Sequence, residues 1–164
     1  MPSVYARSAQ IEIPAERMNQ PFFLAASLAQ GLGDRSFWPG MMLGSQVVEF
    51  RKVGAQIHLV ARNLQTRAPE GTRLARALAE SYSESLVASV APASAPHPQR
   101  KSLLVDAQAL LGSDITATQA RLEAAYRLPY ALDRAHSSLV ASRADARGSY
   151  LSMRSHFTIP RLPS

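Results

Sequence analysis

The sequence predicts an α+β domain made mainly of antiparallel β-sheet, with about seven strands and two inserted helices. Short stretches in which apolar and polar residues alternate recur along the whole chain, as they do in half-buried strands. Two other stretches space their apolar residues three and four apart, as one face of a helix does. The chain has 164 residues and shows neither an internal repeat nor a dividing linker, so residues 1–164 are expected to form a single domain.

The clearest strands flank Gly54 in the stretch Gln46–Ala61. Apolar and polar residues alternate on both sides of this glycine, which is the signature of two half-buried antiparallel strands. The apolar positions are Val48, Phe50, Ile57 and Leu59, and the polar positions include Glu49 and Arg51. Gly54 can adopt a positive φ at no steric cost, so the turn is predicted there. Because an isolated hairpin is only marginally stable in water, further strands or a helix must cover its apolar face.

Two strands and a loop are predicted before this hairpin. Residues 4–13 fit a first strand that ends at Pro14, because proline cannot donate a ladder hydrogen bond. Residues 15–18 could form one helical turn. The apolar run in residues 21–32 is long enough for a buried strand or a short buried helix, and we favour the strand. Glycines and a proline in residues 31–44 predict a loop.

Helical and strand-like stretches follow one another after the hairpin. Residues 72–86 space their apolar side chains at helical intervals, with Thr72 as the candidate N-cap. Residues 115–126 contain good helix formers and stop before Pro129. Strands are expected at residues 86–90, 101–106, 137–143 and 150–159, and a helical turn at residues 107–111.

The composition narrows the range of functions. The chain has 18 Lys and Arg against 12 Asp and Glu, a formal net charge of +6, but the arginines are scattered and form no dense basic run. We therefore expect a solvated basic surface and no specific nucleic-acid site. Cysteine is absent from the sequence, which excludes disulfides, thiolate metal sites and cysteine nucleophiles. No window approaches the roughly 18 apolar residues that a membrane-spanning helix needs.

No catalytic or metal-binding motif occurs in the sequence. The four histidines are His58, His97, His136 and His156. None has a second histidine or a carboxylate at the spacing of a helical zinc site, and the serines lack a nucleophile elbow. In residues 132–138, Asp133 is expected to pair with Arg134 or to cap a local turn. The sequence therefore predicts no catalytic, cofactor-binding or metal-ligating residue in this chain.

Two segments are candidates for contact with a partner. The prolines on either side of His97 stiffen the backbone and could present His97 and Arg100 to another molecule. The alternative is an exposed, rigid connection between strands. The last predicted strand is expected at a sheet edge, where Phe157 and Ile159 would invite pairing with another segment or self-association.

Eight segments of the chain, taken in order, resemble a known domain. They are Ile13–Met18, Pro21–Phe23, Gly31–Asp34, Val47–Gly54, Ala61–Asn63, Ser94–Pro98, Arg121–Arg127 and Leu132–Ser138. The domain that they resemble is an N-terminal domain of unknown function. It precedes the catalytic domain in a family of large bacterial zinc-dependent metallopeptidases.

The resemblance implies a periplasmic or secreted location, although residues 1–5 show no signal peptide. It also implies that zinc and the His-Glu-x-x-His helix belong to a catalytic domain outside this chain, which is truncated relative to the family. The first hypothesis is thus a non-catalytic domain that packs against a metallopeptidase catalytic domain, in cis or in trans, and helps to shape its substrate cleft. The second is an independent module that binds an anionic polymer through a dispersed arginine-rich surface. A third, a hydrolase in its own right, rests only on dispersed serines and histidines. A fragment, a split gene product and a stand-alone relative all remain open.

Overall fold

The computed structural model describes residues 9–33, 36–62, 71–81 and 85–159, except for the side chains of residues 78–81. The strands in these ranges are Gln10–Ile13 (β1), Phe22–Ser27 (β2), Met42–Val53 (β3), Gln56–Ala61 (β4), Ser85–Val90 (β5), Leu103–Asp106 (β6), Ala131–Asp145 (β7) and Gly148–Thr158 (β8). The α-helices are Arg73–Ser81 (α1), Ala107–Leu111 (α2) and Thr118–Tyr126 (α3), and Ala15–Arg17 form a single 3₁₀ turn. The predicted α+β class with mainly antiparallel sheet is confirmed.

The strands form three antiparallel ladders. The largest has the order β2-β3-β4-β5, while β1 pairs with β6 and β7 pairs with β8. The central hairpin is confirmed, since Phe50 of β3 lies opposite Leu59 of β4 and Gly54 turns the chain with a φ of 58°. This turn therefore uses the left-handed conformation that glycine adopts without steric cost.

The hydrophobic core lies on one face of the four-stranded sheet. Val48 and Ile57 from this sheet are fully buried, and they belong to one cluster with Val105 of β6 and Leu110 of α2. Helix α2 also contacts β5, β6 and β7. The short β1–β6 ladder and α2 thus supply the cover that the hairpin needs in order to be stable.

The opposite face of this sheet is also partly buried. Glu49 of β3 is only 4% exposed, and Val60 of β4 is buried beside it in the register. The Glu49 carboxylate pairs with Arg51, and it lies 3.6 Å from the Nη1 atom of Arg62. Alternation predicts that the polar face of this strand is exposed, and this prediction is wrong at Glu49. Neighbouring side chains remove its carboxylate from solvent.

Several predicted boundaries differ from the structure. Helix α1 ends at Ser81, short of the predicted residue 86, and β7 begins at Ala131, six residues before the predicted strand. Helix α3 begins at Thr118 because Asp114 accepts hydrogen bonds from the first turn of the helix. Of the first predicted strand, residues 4–8 lie outside the described residues.

Candidate functional site

The last two strands form a ribbon that stands apart from the other ladders. We call β7, β8 and the turn between them (residues 131–158) the terminal ribbon. Among the described residues, these strands pair only with each other. Asp145 fixes the turn, since its Oδ1 atom accepts the backbone N–H groups of Arg147 (2.8 Å) and Gly148 (3.2 Å). Such an aspartate turn is a local sequence signal for chain reversal.

Ser137 and Leu139 anchor the ribbon to the rest of the domain. The Gln108 side chain on α2 donates to the carbonyl oxygen of Ser137 at 3.1 Å, and Leu139 is 4% exposed. The buried Ser137 hydroxyl donates to the carbonyl oxygen of Asp133 (2.6 Å) and accepts the backbone N–H of His156 (2.9 Å). The base of the ribbon is thus held by both polar and apolar contacts.

Beyond this anchor the ribbon is open to solvent. Every residue from Val140 to Tyr150 is exposed. The register places Leu151 opposite Ser142 on one face, and Tyr150 opposite Arg143 on the other. The side chains of Val140 and Tyr150 are 47% and 48% exposed, which is high for large apolar residues. The outer part of the ribbon therefore presents backbone edges and both faces without cover from other described residues.

The ribbon concentrates positive charge. Residues 131–158 contain four arginines and two aspartates, a net charge of +2 with histidines neutral. The arginines are Arg134, Arg143, Arg147 and Arg154, and all are exposed. The guanidinium carbon of Arg143 lies 4.5 Å from the ring centre of Tyr150, and its Nη2 atom lies 3.6 Å from an Asp145 carboxylate oxygen. The sequence predicted a dispersed basic surface, and these four arginines are spread along the two strands and the turn of the ribbon.

The residues predicted to face a partner lie at two places. His97 and Arg100 lie together in one turn, where the Nδ1 atom of His97 accepts the backbone N–H groups of Gln99 and Arg100 at 3.2 Å each. Arg100 also pairs with Glu12 at 3.2 Å. Both side chains thus have partners within the domain, and their contact with another molecule stays a prediction.

Phe157 lies at the base of the terminal ribbon, and Ile159 directly follows β8. Both are half-buried, and Phe157 is opposite Leu132 in the register. The sequence did not single out the exposed residues nearer the turn, Val140 and Tyr150. The alternation on both sides of Gly148 predicted the two strands that contain them. It did not predict that these strands would be exposed.

Asp133 and His136 form a hydrogen-bonded pair within β7. The His136 Nδ1 and Asp133 Oδ2 atoms are 2.6 Å apart, and this bond is the main reason that the pKa of Asp133 lies below its usual value of 3.8. Asp133 Oδ1 also accepts the backbone N–H groups of Ala135 and His136, so it caps the local turn that the sequence predicted. The Ser137 hydroxyl is already bonded to backbone groups. The pair therefore stabilises a turn and does not form a catalytic triad with this serine.

Comparison of the chain with protein-family models, with curated proteins and with solved structures finds no match. The described residues contain no group of three or more His, Asp or Glu side chains that could hold a metal ion. Among the helices of the described ranges, none is long and apolar enough to cross a membrane. We take the terminal ribbon as the candidate site because its outer half, from Val140 to Tyr150, is exposed throughout.

Proposed function

We propose that this chain is a non-catalytic docking domain whose terminal ribbon binds the catalytic domain of a zinc-dependent metallopeptidase. The observation that carries the proposal is the exposed outer half of the ribbon, from Val140 to Tyr150. Two strands alone are marginally stable in water, and their unpaired edges favour contact with another chain. A partner that covers this half would stabilise the two strands and pair with their free edges.

The identity of the partner follows from the resemblance of eight ordered segments to the N-terminal domain of those metallopeptidases. In the resembling proteins the catalytic domain follows this domain in the same polypeptide, so contact could occur in cis or in trans. The zinc ion and its ligands belong to the partner, and this domain would help to shape the substrate cleft.

The ribbon also indicates the chemistry of the partner surface. Its four exposed arginines favour an acidic patch, because opposite charges across an interface increase the association rate and fix the orientation. Tyr150 and Arg143 are already stacked, and these residue types are enriched among those that contribute most to binding. An interface centred on this pair would need little reordering of side chains.

A mixing experiment with the separately expressed catalytic domain tests the proposal. That domain would be a His-Glu-x-x-His protein from the same genome, and calorimetry would measure its affinity for this chain. We expect micromolar or tighter binding, weakened about tenfold or more by Tyr150→Ala, in line with a central aromatic contact. Ser152→Ala, on the same face and strand, is the matched control and should change the affinity little. No detectable binding with each protein at about 100 μM, where a micromolar complex would be largely formed, would contradict the proposal.

A second candidate function is binding of an anionic polymer, and the four arginines on one ribbon favour it. The protein should then bind heparin and duplex DNA at physiological salt. A double variant with Arg147→Gln and Arg154→Gln should bind them more weakly. Under the docking proposal, such binding is weak and collapses between low and physiological salt, as dispersed charge contacts do. Sub-micromolar binding in a gel-shift titration at physiological salt would favour the polymer.

A further inference from the structure

A cleft of about 420 Å³ lies away from the terminal ribbon, between the 3₁₀ turn, the end of the β3–β4 hairpin and the turn before β6. Its apolar lining includes Ile13, Met18 and Leu103. Ile13 and Leu103 are buried members of the core, and Met18 packs against the same cluster. The volume is in the range of small-molecule sites in proteins, which are mostly apolar with a few polar groups.

The polar lining of this cleft is cationic. Lys52 at the end of β3 and Lys101 before β6 both line it, together with Asn19. Neither lysine forms an ion pair with any residue in the described part of the chain. Glu12 is engaged elsewhere, because it pairs with Arg100 at 3.2 Å and accepts the Ser102 hydroxyl at 2.7 Å. The two lysines that line the cleft therefore have no ion-pair partner among the described residues.

The backbone on two sides of the cleft is held in an uncommon conformation. Asn19 and Lys101 have φ angles of 59° and 55°, a region that residues other than glycine rarely adopt. Asn19 donates its backbone N–H to the carbonyl oxygen of Phe50 at 2.8 Å, and Lys101 donates to that of His97 at 2.9 Å. Residues in such conformations cluster at ligand sites, where the surrounding structure fixes them. Backbone hydrogen bonds thus hold both residues of the polar rim.

We propose that this cleft binds a carboxylate that is attached to an apolar body. The ammonium groups of Lys52 and Lys101 and the side-chain amide of Asn19 would receive the carboxylate, since all three can donate hydrogen bonds to it. The apolar body would lie mainly against Met18, because Ile13 and Leu103 are already almost fully buried. A free aliphatic acid and the C-terminus of a short peptide share this chemistry. The inference does not depend on the docking function.

Calorimetric titration of the whole chain with four probes tests the site and separates the two sources. The probes are octanoate, its neutral analogue octanamide, the tripeptide Ala-Ala-Leu and the C-terminal amide of this tripeptide. We expect one octanoate or one tripeptide per chain to bind, and each neutral analogue to bind on the order of tenfold more weakly, because charge-assisted hydrogen bonds are lost. Whichever acid binds more tightly identifies the source. Equal affinity for an acid and its neutral analogue would overturn the proposal.

Variants of the two lysines locate the site. Lys52→Met and Lys101→Asn remove one charge each, and asparagine tolerates the left-handed backbone at position 101. Each is expected to weaken octanoate binding by on the order of tenfold, while Lys52→Arg keeps the charge and most of the affinity. Arg134→Gln removes the same charge from the ribbon and is the matched control. Unchanged affinity in both lysine variants, or an equal loss in the control, would overturn the proposal.

A measurement on the unaltered protein removes any dependence on the folding of the variants. In two-dimensional amide NMR spectra, octanoate is expected to shift the backbone signals of Asn19, Lys101 and Leu103 in a saturable way. Signals of the ribbon turn, such as that of Gly148, should stay in place. Two results would contradict binding in the cleft. One is a set of shifts confined to the ribbon, and the other is no saturable shift up to about 10 mM octanoate.

Discussion

Asp133 has a local role that can be measured through its acidity. Its carboxylate accepts a hydrogen bond from the His136 ring and two from the backbone N–H groups of Ala135 and His136. These bonds stabilise the charged form, with the His136 side chain first, so the pKa of Asp133 is lowered from 3.8 in the folded protein. Folding and protonation at this residue are therefore linked.

The sign of this linkage predicts how stability depends on pH. Because the pKa of Asp133 is lowered by folding, its contribution is fully present well above pH 3.8 and is lost as pH falls through the lowered value. The difference in unfolding free energy between the natural protein and Asp133→Asn should therefore shrink as the pH falls below about 4. Urea denaturation at several pH values measures this difference.

NMR titration of the side-chain carboxyl carbon gives a direct check on the same residue. His136→Gln should bring the pKa of Asp133 back toward 3.8, because the largest cause of the shift is removed. His156→Gln is a suitable control, since His156 lies opposite Asp133 but is not a cause of its shift. Titration of Asp133 at or above 3.8 in the natural protein would show that the hydrogen bond to His136 does not persist in solution.

Glu49 shows which residue-scale facts alternation cannot predict. The pattern around Val48 and Phe50 correctly places Glu49 on the face opposite the core, yet its side chain is buried and paired with Arg51 and Arg62. Alternation decides on which side of a strand a residue lies, whereas its burial depends on what later folds over that side. A buried carboxylate between two arginines could not be inferred from spacing alone.

At the scale of elements, α3 has an unusual start. Ala117 precedes the helix in the left-handed conformation, and the cap comes from Asp114 instead of from Ala117 itself. The two carboxylate oxygens of Asp114 accept the backbone N–H groups of Thr118 (2.8 Å) and Gln119 (2.7 Å). These are N–H groups of the first turn that have no partner within the helix.

Removing this cap should destabilise the domain by a measurable amount. Asp114→Ala is expected to lower the free energy of unfolding by about 1 kcal/mol, the usual cost of losing an N-terminal cap. Asp114→Asn keeps one acceptor oxygen and should cost less. Urea denaturation of the two variants and the natural protein gives the comparison. If Asp114→Ala is as stable as the natural protein, the helix does not depend on this cap.

Sequence patterns predicted most elements but not all of their ends. The hairpin around Gly54 and the strand at residues 150–159 show clean alternation, and both are confirmed. Strand β7 begins earlier than predicted because its alternation is interrupted: residues 134–137 lie between the pairs Asp133↔His156 and Ser138↔Arg154. A bulge of this kind shifts the side chains that follow to different faces, so the two halves of one strand resemble separate segments.

At the scale of the whole molecule, the pairing of distant strands was not predictable. Strand β1 pairs with β6, although most of the described chain between them forms other elements. Local patterns identify strands and their apolar faces, but they contain no signal that selects one distant partner over another. The exposure of Tyr150 could not be predicted for the same reason, because it depends on which distant elements pack against the ribbon.

The open outer half of the ribbon should be dispensable for folding and required for docking. Ala141 and Ser152 lie directly opposite each other, so an Asn-Gly turn can join them in place of residues 142–151. The removed residues are exposed, except for the half-buried Leu151. We therefore expect the free energy of unfolding to change by less than about 1 kcal/mol, as for surface changes in general.

The matched comparison is Leu139→Ala, at the buried anchor of the same ribbon. Truncation of a buried leucine typically costs about 2–5 kcal/mol, so this variant should be much less stable than the shortened ribbon. Urea denaturation measures the stability of both variants. In calorimetry with the catalytic domain, the shortened protein should fail to bind although it is well folded. If shortening the ribbon instead unfolds the domain, its outer half belongs to the folding unit, and its exposure is not evidence for a docking surface.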